Sequence, residues 1–299
     1  MSLFQRFKLP QIVKKQQSNS ESIANIKKFD CNALPVKDRL RQGAFGDVYT
    51  TEYRAHGDVV ETVVVKKMLQ ALDQDDKKLF FKEVALLDGL AHPNVVTLLA
   101  VCHQPPAMMM EYVYFDFKLF GEDNLRVSSL SDFLLHINEF NCQGFHDLVN
   151  HAAIEIIQGL AYLQSKGIAH RDLKPANILV CNRHYSTLSD EQNIAVHYQS
   201  RPISCKLTDF GESRSIRMQT QTILASNTRN VDQGTVVYMA PEILVEDRRI
   251  SHANISDLIL TDVWALGMVF FSLINPSLKY PYLLEIGRAS CRERVFRAV

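Results

Sequence analysis

The chain has 299 residues, 46% of them hydrophobic and 22% charged, which is enough apolar material for one large domain or two lobes around a sizeable core. Its 33 Lys and Arg balance 33 Asp and Glu, so no long-range field argues for nucleic acid or an anionic membrane as the main partner. The six cysteines (Cys31, Cys102, Cys142, Cys181, Cys205, Cys291) have no paired spacing, which argues against a disulfide framework or a zinc site and for a reducing, cytoplasmic setting.

Residues 1–29 are polar and basic and read as a flexible extension, with at most a short amphipathic helix around Ile12 to Lys14 and no apolar core of a signal peptide. From Leu40 apolar residues alternate between turn signals. Val48-Tyr49-Thr50 and Thr62-Val63-Val64-Val65 predict strands of an antiparallel sheet, joined near His56-Gly57-Asp58. Asp73 to Leu90 places Leu79, Phe80, Val84, Leu87 and Leu90 at helical spacing and stops before His92-Pro93. After Met110 the pattern turns helical, with apolar stripes over Ser131 to Asn138 and Leu148 to Ser165, the latter ending at Lys166-Gly167. The longest apolar run, Val263 to Ile274, is interrupted by Gly267 and Ser272 and is too short for a bilayer, so no membrane span is expected.

The segment His170-Arg171-Asp172-Leu173-Lys174-Pro175-Ala176-Asn177 carries a carboxylate that can take a hydroxyl proton, an amide that can hold a metal, and a lysine between them to meet phosphate charge. Asp209-Phe210-Gly211 and Ala240-Pro241-Glu242 follow it in order. Together these motifs resemble the eukaryotic protein kinase family, from about Leu40 to Leu284.

The resemblance implies an α+β, two-lobed fold: a small antiparallel sheet with one helix over about 30–110, then a mainly helical lobe over about 114–284. It implies ATP and Mg²⁺ as cofactors and a protein substrate. In Leu40-Arg41-Gln42-Gly43-Ala44-Phe45-Gly46-Asp47-Val48 the phosphate-covering hairpin keeps Gly43 and Gly46, has Arg41 where the family has its first glycine, and brings Val48 to the nucleotide. Lys66 in Val63-Val64-Val65-Lys66 matches the phosphate-binding lysine. Its partner is expected to be Glu83, because a buried ammonium needs a carboxylate. Lys67 is the rival, and strand alternation turns it to solvent instead. Met110 falls at the position beside the adenine, and the backbone of Glu111 and Val113 would bond the base.

Asp172 is implied as the group that orients the substrate hydroxyl, with Lys174 beside it, and Asn177 and Asp209 as the metal ligands. His170 reads as a core histidine under the loop. Asp262, in Asp262-Val263-Trp264-Ala265-Leu266-Gly267, is expected to anchor the catalytic-loop backbone. Lys174 and the Gly234-Thr235 region, with Thr235 placed to touch Asp172 and Lys174, favour serine/threonine specificity. The stretch from Gly159 to Leu163 resembles the tyrosine-kinase-like group. Arg171 suggests a receptor for a phosphate on Thr220, Thr222, Ser226 or Thr228. A pseudokinase scaffold, supported by Arg41, and a tyrosine or dual-specificity kinase remain open.

Three stretches lie outside the family pattern and, being polar, are expected to be surface loops: Tyr114 to Val127, Asn182 to Ser204 and Glu246 to Ile259. The family's lobe continues for several helices beyond Pro281-Tyr282, with an arginine that pairs with Glu242. Here the residues from Glu285 to Val295 instead back-translate to a sequence similar to a short-read sequencing adapter, within a tail that runs from about Glu285 to Val299. They are therefore expected to be a non-native tail on a lobe whose incompleteness weakens activity.

Overall fold

The computed structural model describes residues 25–42, 46–54, 60–69, 73–140, 145–211, 213–215, 236–244 and 255–278. The small lobe is built on strands β1 (Arg39–Gln42), β2 (Gly46–Arg54), β3 (Val60–Met68), β4 (Leu98–His103) and β5 (Pro106–Glu111), with helix α1 (Gln74–Asp88) between β3 and β4. The sheet order is β1-β2-β3-β5-β4, and every neighbouring pair is antiparallel.

Alternation along β3 divides its side chains between two apolar layers. Val63 and Val65 are buried with Tyr49, Ala100, Cys102 and Met109, under a cover formed by Cys31, Phe29 and Leu34. Val64, Met108 and Met110 belong to the opposite face, where α1 contributes Phe80, Val84 and Leu87. The cover on the outer face makes the extension shorter than expected. The backbone of residues 27–29 adds to the edge of β4, with Val101 N donating to Lys27 O at 2.8 Å and Phe29 N to Val101 O at 3.2 Å.

Helix α1 starts where its caps dictate. Asp73 Oδ1 accepts from the backbone N–H of Asp75 and Asp76 at 2.8 Å, and Asp76 accepts in return from Asp73 N. This satisfies donors that a helix start leaves orphaned, and the helix stops at Gly89.

The second lobe follows with β6 (Phe115–Asp116), β7 (Arg126–Val127), α2 (Leu130–Phe140), α3 (Phe145–Ser165), β8 (Ile168–Ala169) and β9 (Ile178–Cys181). Then come α4 (Arg183–Ser186), α5 (Glu191–Ser200), β10 (Ser204–Leu207), β11 (Arg214–Ser215), α6 (Pro241–Leu244) and α7 (Ile255–Ile274). One core runs unbroken from Val84 and Met108 of the small lobe through Phe133, Ile156 and Leu160 to Phe210, Val269 and Leu273. Gly159 is required where the lobes meet, because a Cβ there would stand 2.7 Å from Asn94 O. Ala91 N donates to the Tyr162 hydroxyl beside it.

By length and composition α7 could cross a membrane. In this fold Ala265, Val269 and Leu273 are core residues, and Asp262 in its middle is 1% exposed and bonded to the loop after β8.

Two of the three stretches expected to be surface loops are packed structure instead. Tyr114 to Val127 forms the β6–β7 hairpin, and Phe115 and Phe117 are buried against Phe133 with centroids 4.9 and 5.7 Å away. Asn182 to Ser204 forms α4 and α5 and buries Tyr185, whose hydroxyl donates to Pro202 O at 2.7 Å. Asn182 joins the two stretches, accepting from Asp116 N at 2.8 Å and donating to Asp116 O at 2.9 Å. The polar residues that suggested loops are spaced by aromatic rings, and the buried rings supply the apolar area that packs these stretches. Of Glu246 to Ile259, Ile255 to Ile259 are the start of α7, and the rest lies outside the described residues.

Candidate active site

Lys66 sits near the end of β3 with its ammonium 3.0 Å from both Glu83 oxygens and 3.2 Å from Asp209 Oδ1. Three elements distant in sequence thus meet at one charge. Burial alone would depress the Lys66 ammonium, but the Asp209 and Glu83 carboxylates outweigh it and hold its pKa above the ordinary value. Burial raises Glu83, with Lys66 pulling the other way, whereas Lys66 lowers Asp209. Lys67 lies on the other face of β3, as alternation requires, but it is half-buried near Cys31 instead of standing in open solvent.

Val48 is the cross-strand partner of Lys66, so both point to one face. Gly46 opens β2 beneath β3 so closely that a Cβ would lie 2.3 Å from Lys67 O. That approach demands glycine whatever the backbone dihedrals. Arg41 is exposed on β1 opposite Val48. Gly43 lies outside the described residues.

The loop after β8 is held from below. Asp262 Oδ2 accepts from His170 N and Oδ1 from Arg171 N, both at 2.7 Å. Burial pushes the Asp262 carboxyl up, against the pull of His170 and these backbone donors. His170 is fully buried, with Nε2 3.0 Å from Thr208 O and its ring 5.0 Å from Phe210. It is therefore a core histidine, as expected.

Arg171 and Asp209 adopt φ of 70° and 63°. Non-glycine residues persist in that region only where surrounding bonds over-determine them, at a cost of about 1–3 kcal/mol each. Asp172 Oδ2 lies 2.9 Å from the Lys174 ammonium and accepts from Asn177 Nδ2 at 2.8 Å. Asn177 Nδ2 also donates to Asp172 O at 2.8 Å. With the amide nitrogen committed to Asp172, the Asn177 oxygen is the group left to face a cation. A carboxylate and an amide oxygen are the hard donors Mg²⁺ takes, so Asp209 and Asn177 fit that ion.

At the hinge Met110 is buried, paired with Val64 on one side and Leu98 on the other. Glu111 N donates to Thr97 O at 3.1 Å, so only the Glu111 carbonyl can serve an adenine, and Val113 follows it buried. The Glu111 side chain adds a connection the sequence did not reveal. Its Oε1 accepts from Thr97 N at 2.8 Å and from the Lys206 ammonium at 2.8 Å. Lys206 is on β10, three residues before Asp209, so one ion pair ties the hinge to the strand that leads to Asp209.

A second hidden cluster joins Arg201, which forks onto Glu155 of α3 at 2.7 and 2.8 Å, with Asn94, which donates to Glu155 and to Cys205 O. The only sequence signal for either cluster is a charge at an apolar position. Thr235 and the hydroxyls Thr220, Thr222, Ser226 and Thr228 lie outside the described residues.

Residues 35–284 match the protein kinase domain family model. Among curated relatives, the serine/threonine-protein kinase unc-51 of Caenorhabditis elegans is 30% identical over 263 residues, covering 87% of this chain and 26% of that protein. The putative serine/threonine-protein kinase/receptor R826 of Acanthamoeba polyphaga mimivirus is 28% identical over 269 residues, covering 87% and 13%. The MAP kinase kinase kinase wis4 of Schizosaccharomyces pombe is 29% identical over 241 residues, covering 80% and 14%. The chain thus spans about a quarter or less of the length of these relatives. With the family match extending over the sheet, the hinge, the catalytic loop and α7, the chain belongs to the protein kinase domain family.

Proposed function

We propose that the chain transfers the γ-phosphoryl group of ATP to a serine or threonine hydroxyl of a protein. The observation that carries this reading is Lys66 bonded to Glu83 and Asp209 at once, above a loop that offers Asp172 and Asn177. In this chemistry the protein does little covalent work and acts by positioning and by offsetting charge. Lys66, fixed by Glu83, meets the ATP phosphates. The Asp172 carboxylate receives the substrate hydroxyl, while Lys174 beside it stabilises the transferring phosphoryl charge. Asp209 and Asn177 would hold Mg²⁺, which would offset phosphate charge.

Serine/threonine selectivity is supported by Lys174 two residues after Asp172 and by the names of the relatives. Phosphorylation on Thr220, Thr222, Ser226 or Thr228, received by Arg171, would regulate the site. The test is transfer of label from γ-labelled ATP with Mg²⁺ to a generic acceptor protein, followed by phosphoamino-acid analysis. The expected result is phosphoserine or phosphothreonine that vanishes in Asp172→Asn. Label on tyrosine would overturn the specificity, and ATP binding without transfer would favour a scaffold.

A further inference from the structure

Beside the hinge, at the Val60 end of β3, the β6–β7 hairpin and α4 face the rim of the small-lobe sheet across an open groove of about 630 Å³. This is within the size range of sites that hold a ligand of drug or short-peptide size. The catalytic machinery described above uses none of its charged side chains.

On the hairpin side, the Arg126 guanidinium lies 4.7 Å and that of Arg183 5.6 Å from the centre of the Tyr114 ring. Tyr114 is buried, and the paired Asp116–Asn182 bonds lock the two segments that carry these arginines to each other. Arg126 spends Nε on Asp116 Oδ2 at 2.8 Å, which leaves the rest of its planar fork for a second acceptor. Asp116 offsets one of the two positive charges gathered on this ring, so the pair keeps a net positive charge that a phosphate, with three acceptor oxygens, can meet.

The sheet side has the opposite character. Asp38 and Glu61 line it, while Lys37 is engaged with Glu52 at 2.9 Å. A polyanion such as nucleic acid or an anionic lipid surface would meet repulsion from these carboxylates. The polarity fits a short zwitterionic segment instead.

We propose that this cleft binds a protein segment bearing a phosphorylated serine or threonine next to a lysine or arginine, with the phosphate on Arg126 and Arg183 and the cation toward Asp38 and Glu61. The inference rests on the phosphotransfer reading only in that such a reaction supplies phosphorylated hydroxyls on proteins. Binding itself needs neither ATP nor Mg²⁺. Because the walls come from the two lobes, an occupant would bridge them beside the hinge.

The test uses the 299-residue chain without nucleotide and a fluorescein-labelled peptide with one phosphoserine next to a lysine, read by anisotropy. The proposal expects binding that weakens about tenfold or more when the phosphate is omitted or when exposed Arg183 is changed to Gln, the loss expected for a charge-assisted hydrogen bond. Glu61→Gln should erase the preference for lysine over norleucine. Equal binding of the phosphorylated and unphosphorylated peptides would overturn the proposal. So would indifference to Arg183→Gln, displacement by a non-hydrolysable ATP analogue, or inorganic phosphate competing as well as the peptide does. Failure of phosphotransfer with peptide binding intact would strike the catalytic reading and leave this one standing.

Discussion

Asp262→Ala removes the acceptor of two backbone donors, His170 N and Arg171 N, each 2.7 Å from a carboxylate that is 1% exposed. Each N–H then loses a charge-assisted bond of about 1.5–3 kcal/mol. The sum is about 3–6 kcal/mol, and at roughly 2–4 °C per kcal/mol for a domain of this size the melting temperature should fall by roughly 6–24 °C. Asp262→Asn keeps one oxygen and turns an NH₂ toward the other donor, so it should cost about half as much. Because the Arg171 backbone sits at φ 70°, loss of the anchor should also let Asp172 drift, and activity should fall further than stability explains. Melting followed by fluorescence, with phosphotransfer measured at a temperature where both proteins are folded, separates the two effects. An Asp262→Asn protein with unchanged melting and unchanged rate would refute the anchoring argument.

Asp209→Asn should abolish Mg²⁺-dependent nucleotide binding while shifting the melting temperature little, because 43% of the Asp209 side chain is solvent-exposed and Lys66 keeps Glu83 as its partner. Titration with a fluorescent ATP analogue, with and without Mg²⁺, checks this. Gly46→Ala forces a methyl against Lys67 O and should weaken nucleotide binding at least about tenfold through distortion of the β2–β3 ladder, measured by the same titration. Lys206→Met breaks the tie between hinge and β10 and should raise KM for ATP more than it lowers kcat, with Lys206→Arg restoring most of the loss. An equal fall in kcat alone would assign Lys206 a different role.

What the sequence made legible was mostly local. The strand period put Lys66 with Val64 and turned Lys67 to the other face, and the catalytic-loop segment carries Asp172, Lys174 and Asn177 close enough in sequence to bond one another. Glu83 was named because a buried ammonium requires a carboxylate and the family resemblance places one on this helix; the structure sets it 3.0 Å from Lys66. The missed features are pairings between distant segments. Nothing near Lys206 signals Glu111, 95 residues earlier, and Arg201 gives no hint of Glu155. The hairpin after the hinge was misread because its Asp, Glu, Asn and Lys outnumber its rings in sequence, while Phe115 and Phe117 decide its packing. The N-terminal boundary was drawn too late because Lys27 and Lys28 look solvated. Their backbone, not their side chains, joins the sheet.

The central claim is that Lys66, and not its neighbour, is the phosphate-facing cation of a working phosphotransfer site. It is tested most directly by measuring Mg²⁺-dependent transfer from γ-labelled ATP with Lys66→Met and Lys67→Met side by side, after melting has shown both to be folded. The account predicts that Lys66→Met loses at least about a hundredfold in rate, the effect of about 2.7 kcal/mol of lost transition-state stabilisation, while Lys67→Met keeps most of its activity. Equal losses from the two substitutions, or an active Lys66→Met, would contradict it.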